Sequence, residues 1–250
     1  MGLPHFLPLL AAIIAQSSTH LSAWVESPDL ELRLAPSLED RRETYQREIQ
    51  AATSQVTIWF AQQGFAVPED ALIGTAIVFD DREAARAEVA KRFDIDPASI
   101  PSSFSGTVAG GALYVVSREL YRATYTTLYP DWPWVDENYR GLIAHELAHR
   151  AHSLIATKEF GTEDAMGPRW FFEGLAILCA GNFDRPSEPP LSRARFMDYV
   201  KRDEQEGLSY PLYASMIRFL SSSIPVKRLV EHARDPDFPE SLLDGLEAPK

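Results

Sequence analysis

Cysteine is nearly absent from this sequence: Cys179 is the only one in 250 residues. A disulfide within the chain is therefore impossible, and so is a C-x-x-C metal site. Any metal must be held by histidine, aspartate or glutamate. Cys179 stands in the apolar run Leu175-Ala176-Ile177-Leu178-Cys179-Ala180 and reads as a small buried hydrophobe. Clustered basic charge is missing too. The 24 lysines and arginines face 36 acids, a formal net charge of −12. Groups such as Arg41-Arg42 and Lys91-Arg92 read as ordinary solvated helix faces. Nucleic acid is excluded as a partner, because phosphate binding needs a concentrated basic surface. There is no internal repeat and no low-complexity segment. No hydrophobic stretch reaches the roughly 20 residues of a membrane-spanning helix.

One further absence is local. Residues 1–23 contain no Lys, Arg, Asp or Glu. Residues 6–15 form an apolar run, and the small residues Ser17, Ser18, Ser22 and Ala23 follow it. This is the layout of a signal peptide, although only His5 stands for the basic segment that usually precedes the run. The expectation is an exported protein, periplasmic or extracellular, with no stable membrane span once residues 1–23 are removed; the alternatives are an uncleaved anchor or an ordinary buried N-terminal helix.

What remains is ordinary in bulk. Hydrophobic residues make up 45% and charged residues 24%, so a sizeable core can form. The length suits one domain, residues 24–250. Leu30, Leu32 and Leu34 alternate with Glu31 and Arg33, the period of a half-buried strand. Ser37 and Asp40 are placed to cap a helix over 38–63 that stops at Gly64. Residues 71–79 are apolar and β-branched and predict a buried strand; Asp80-Asp81 then opens a helix through Arg92. Gly110-Gly111 leads into the short strand Ala112–Val116. Residues 120–135 read as irregular. Trp132 and Trp134 within them read as a packed loop rather than a carbohydrate or membrane contact. Helices are predicted over 137–155, 170–180, 192–206 and 213–221, with a loosely ordered tail after Asp235. Strands with helices in 24–136 and helices alone in 137–250 make the class α+β.

Three of the six histidines, His145, His149 and His152, fall within eight residues. His145-Glu146-Leu147-Ala148-His149 has the form H-E-x-x-H. Residues four apart share one helix face, so two imidazoles can reach one ion. Glu146 lies beside that face, where it can take a proton from an attacking water. His152 lies roughly 10 Å along the axis from His145, too far to share the ion, and reads as a residue behind the ligands or on the surface, the surface being favoured. Catalytic zinc takes three protein ligands. Downstream, Glu173 stands within Trp170-Phe171-Phe172-Glu173-Gly174-Leu175-Ala176. A carboxylate among apolar neighbours is costly to bury without a partner, and a metal ion would be one. Gly174 is expected to let this helix approach the first closely.

The H-E-L-A-H at 145–149 and the W-F-F-E-G-L-A at 170–176 resemble the gluzincin metallopeptidases, specifically the bacterial peptidase MA-like group. The resemblance covers roughly residues 110–220. It implies a zincin-like fold, Zn2+ held by His145, His149 and Glu173, Glu146 as general base, and a peptide or protein substrate. It also implies a strand forming the rim of the cleft, which Ala112–Val116 could supply. Tyr213 resembles a tyrosine-containing segment of the family and is the candidate oxyanion donor, with Tyr210 as the alternative. Thermolysin-like members carry an aspartate four residues after the glutamate ligand, bracing a zinc histidine; here that position is Ile177. The glycine and third histidine of metzincins are also missing. The expected activity is zinc-dependent peptide hydrolysis. The alternative is a non-catalytic metal-binding or interaction module that keeps the fold.

Overall fold

The computed structural model describes residues 30–183 and 191–244. The signal-peptide expectation for 1–23 and the Pro-rich loop at 185–190 lie outside the described residues. The chain begins with strand β1 (Glu31–Leu34), in which the two leucines are half-buried and Glu31 and Arg33 are exposed. A 3-10 turn, Pro36–Arg41, leads into α1 (Arg42–Gln62). The helix α1 buries Tyr45, Ile49, Ala52, Val56 and Phe60, one stripe at spacings of three and four. Gly64, at φ 85°, ends it. Ser37 does not cap the helix as expected. Its hydroxyl donates to Asp80 and so ties the turn to the end of the next strand.

A single helical turn, α2 (Glu69–Leu72), takes the first residues of the predicted 71–79 strand, and β2 is Thr75–Phe79. Glu69 and Asp70, directly after Pro68, favour a helix start there. Helix α3 (Arg82–Phe93) is capped by Asp81, whose carboxylate accepts from the Ala84 amide at 2.7 Å. Strands β3 (Gly106–Ala109) and β4 (Ala112–Val116) form an antiparallel hairpin. Its two-residue turn, Gly110-Gly111, has φ values of 55° and 76°. Positive φ at both positions is what such a tight turn demands, and glycine supplies it without strain. The sheet order is β1-β2-β4-β3, with β1, β2 and β4 parallel and β3 antiparallel at one edge.

The segment 120–135 is not irregular throughout. Helix α4 (Arg118–Leu128) occupies its first half, opened by Ser117, whose side chain accepts from the Leu120 amide. Its threonines and tyrosines are poor helix formers, but Tyr121, Thr124 and Tyr125 make a buried face. Tyr121 and Tyr125 pack edge-on against Trp134, with ring centroids 5.7 and 5.6 Å away. The two tryptophans are packing groups, Trp132 against Phe183 at 5.1 Å.

The central element is α5 (Glu137–Phe160), closed by Gly161 at φ 80°. It is buried on all sides over residues 141–149. α1 lies along it, and Tyr139 ties it to the sheet by donating to the Val116 carbonyl at 3.0 Å. A 3-10 turn (Glu163–Met166) follows, then α6 (Arg169–Ala180), α7 (Arg193–Glu206), α8 (Tyr210–Ser221), α9 (Val226–His232) and α10 (Glu240–Asp244). The expected loose tail is in part ordered: α10 buries Leu242 and Leu243, and Phe238 stacks on Trp170 at 5.5 Å. One hydrophobic core runs through both the sheet-containing and the helical part. Among the described residues, no helix is long and apolar enough to cross a membrane. The class is α+β, as expected.

Candidate metal centre

His145 and His149 project from the buried middle of α5, and Glu173 from the facing side of α6. All three are about 5% exposed. Their donor atoms form a small triangle: Nε2 to Nε2 is 3.1 Å, and Glu173 Oε2 lies 3.2 Å from His145 Nε2 and 3.5 Å from His149 Nε2. Bonds of the length zinc makes to nitrogen and oxygen, at tetrahedral angles, would put neighbouring donors about 3.3–3.5 Å apart. Glu173 Oε2 is buried and has no hydrogen-bond partner among the described residues. An unsatisfied carboxylate oxygen facing two imidazole nitrogens is what a site for a cation requires. The residues therefore fit a metal ion, and His145, His149 and Glu173 are the group that could hold it.

The charges in the cluster are mutually dependent. Burial opposes the Glu173 carboxylate, but His149 and His145 prevail and hold its carboxyl well below the usual range. Burial likewise opposes a charge on His149, yet Glu173 outweighs it and lifts the imidazole above its ordinary value. Glu146 is 6% exposed. Its burial pushes the carboxyl up, partly offset by the two histidines. β3 passes close by: a Cβ on Gly106 would lie 3.2 Å from Glu146 Cγ and 3.0 Å from a Val115 methyl. The glycine permits that approach.

Other candidate residues fall differently. The Tyr213 hydroxyl is engaged away from the three candidate ligands. It donates to Asp203 at 2.7 Å and accepts from the Leu208 amide at 3.2 Å, in a buried network with Arg169. Tyr210, three residues earlier and at the start of α8, places its ring 5.3 Å from that of His145. Burial and then Glu173 raise the Tyr210 phenol well above its ordinary value, so it remains a proton donor at neutral pH. His152 is not a surface residue. It is 1% exposed, its ring 5.8 Å from that of Phe171, and neither ring nitrogen has a partner among the described residues. Burial, with His149 nearby, pushes its pKa down to about 3. Gly174 does not face α5. It seats α6 against α8, where an added Cβ would meet the Ile217 Cβ at 3.0 Å and the Tyr213 carbonyl oxygen at 3.1 Å. Ala112–Val116 is not an edge strand, because β2 and β3 flank it on both sides. The outer strand next to α5 is β3.

Comparison with known proteins adds no assignment: no protein-family model, no curated protein and no solved structure matches the chain.

Proposed function

We propose that this chain is a zinc-dependent peptidase, with His145, His149 and Glu173 as ligands and Glu146 as general base. The observation that carries the reading is the buried donor triangle, 3.1–3.5 Å on a side, with a second carboxylate next to it on the same helix. Bound zinc would supply Lewis acidity, acidifying a water and polarising a substrate carbonyl. Metal binding alone does not require Glu146, and its presence favours hydrolysis over a purely structural site. Glu146 takes the proton of the attacking water and passes it to the leaving amine. The Tyr210 hydroxyl donates to the oxygen that becomes negative as the carbonyl is attacked. An extended peptide would pair with β3 (Gly106–Ala109), since only an outer strand offers a backbone edge.

The test is metal analysis of the purified protein by mass spectrometry, followed by a peptide-library screen. About one zinc per chain, lost in Glu173→Ala, is expected. Turnover of library peptides should vanish in Glu146→Gln while its zinc stays. A different metal, or none, would overturn the zinc assignment. Zinc without turnover in the wild type would favour a non-catalytic metal-binding module.

A further inference from the structure

We infer that Glu163 positions the imidazole of His149 through a single bound water. The inference rests on the metal site proposed above. His149 turns Nε2 toward His145 and Glu173, so Nδ1 points to the other side of the ring. Nδ1 is buried and has no partner among the described residues. Ligating histidines almost always donate their second N–H to an acceptor, which fixes both the tautomer and the ring orientation. Something must do this here, and Ile177 cannot.

A small pocket adjoins His149, between α5, the 3-10 turn Glu163–Met166 and the end of β3. His149, Arg150, Ser153 and Glu163 line it together with residues 108–110. The room for a water's centre is about 20 Å³. One water needs roughly 10–15 Å³ by that measure, so the cavity holds a water but no substrate side chain. The lining supplies the partners a buried water needs. His149 Nδ1–H is a donor, the Glu163 carboxylate and the Ser153 hydroxyl are acceptors, and Arg150 Nε is a further buried donor without a partner among the described residues. Ser153 stands one helical turn after His149 on the same face of α5. Its hydroxyl donates to Glu163 Oε1 at 2.7 Å and anchors the carboxylate, which is only 9% exposed. A water accepting from His149 Nδ1–H and donating to Glu163 keeps the proton on Nδ1. The lone pair of Nε2 is then directed at the ion.

The experiment compares the wild type with Glu163→Ala and Glu163→Gln. Each is stripped of metal, titrated with zinc against a competing chelator, and loaded with cobalt(II) for its visible spectrum. Thermal melting of the metal-free proteins runs alongside. Glu163→Ala is expected to weaken zinc binding roughly 10–100-fold and to shift the cobalt bands. Glu163→Gln, whose amide oxygen still accepts from a water, should recover part of both. Wild-type affinity and spectrum in both variants would remove the role of Glu163 while leaving the metal site standing. A weaker affinity matched by a lower metal-free Tm, with the cobalt spectrum unchanged at saturation, would show a merely structural Glu163 and equally overturn the inference. If the wild type itself takes up no zinc, this inference and the metal-site reading fall together.

Discussion

Two buried polar clusters flank α6, and they are built on opposite principles. At its first turn, Arg169 donates to the Asp203 carboxylate at 2.9 Å and to the Asp203 carbonyl at 2.6 Å, while Tyr213 donates to the same carboxylate at 2.7 Å. The charge on Asp203 is answered from within the chain. One turn further on, Glu173 meets two imidazoles at hydrogen-bonding range, yet its inner oxygen is left without a bond. The first arrangement is scaffolding. The second gathers three donor atoms at one point and is a group that could hold a metal ion. The lesson is that burial of charge does not by itself mark a candidate site; several buried donors converging on one point do.

Acid should stress the least answered group most. His152 has a folded pKa of about 3, below its ordinary 6.5. Between those values the unfolded chain binds the extra proton and the folded chain does not. Stability is therefore complete above about pH 6.5 and falls with decreasing pH down to about 3, by up to roughly 5 kcal/mol. Denaturant titrations in the presence of chelator should show this slope, and His152→Leu should flatten it; an equal slope in both would assign the acid sensitivity elsewhere.

Breaking the answered cluster should come next. Asp203→Ala leaves the half-buried Arg169 with the Asp203 carbonyl alone and the buried Tyr213 hydroxyl without its acceptor, at a cost of about 3 kcal/mol. Zinc content should not change. Loss of metal on that substitution would mean that the two clusters are not separable.

The two tyrosines divide the clusters between them. Tyr210→Phe is expected to lower kcat about 10²–10³-fold with the fold intact. Tyr213→Phe should leave kcat nearly unchanged and lower stability by about 1 kcal/mol. The reverse pattern in steady-state kinetics and melting would restore Tyr213 as the donor. The packing beside them comes last. Gly174→Ala pushes Cβ against Ile217 and the Tyr213 carbonyl, for about 1–3 kcal/mol by urea unfolding.

The sequence made some of this legible and hid the rest for physical reasons. H-E-x-x-H is local, and helical geometry alone puts His145 and His149 on one face. Glu173 stood out because an isolated carboxylate in an apolar run demands a partner. Tyr210 and Tyr213 could not be told apart, because they are three residues apart and the rotation of α8 decides which one meets His145. The expected helix began at Tyr213, whereas Pro211 sits within the first turn of α8, where proline is tolerated. The surface reading of His152 failed because polar residues on a helix usually face water, whereas this face of α5 packs against Phe171 of α6. Glu163 gave no signal: it lies in the short turn after Gly161, and its neighbour Ser153 belongs to another element. The outer position of β3 is a property of strand order, which one chain's hydrophobic pattern does not encode.

The ligands of the proposed site come from two helices, with Glu173 following His145 by 28 residues along the chain. An ion gripping both would act as a clasp on the core. Because the unfolded chain lacks the preformed site, zinc at 1,000 times its Kd would add about 4.1 kcal/mol to stability. Metal supply would then govern how long the molecule survives in a proteolytic environment, as well as whether it turns over substrate. Limited proteolysis with and without chelator would measure that second dependence directly.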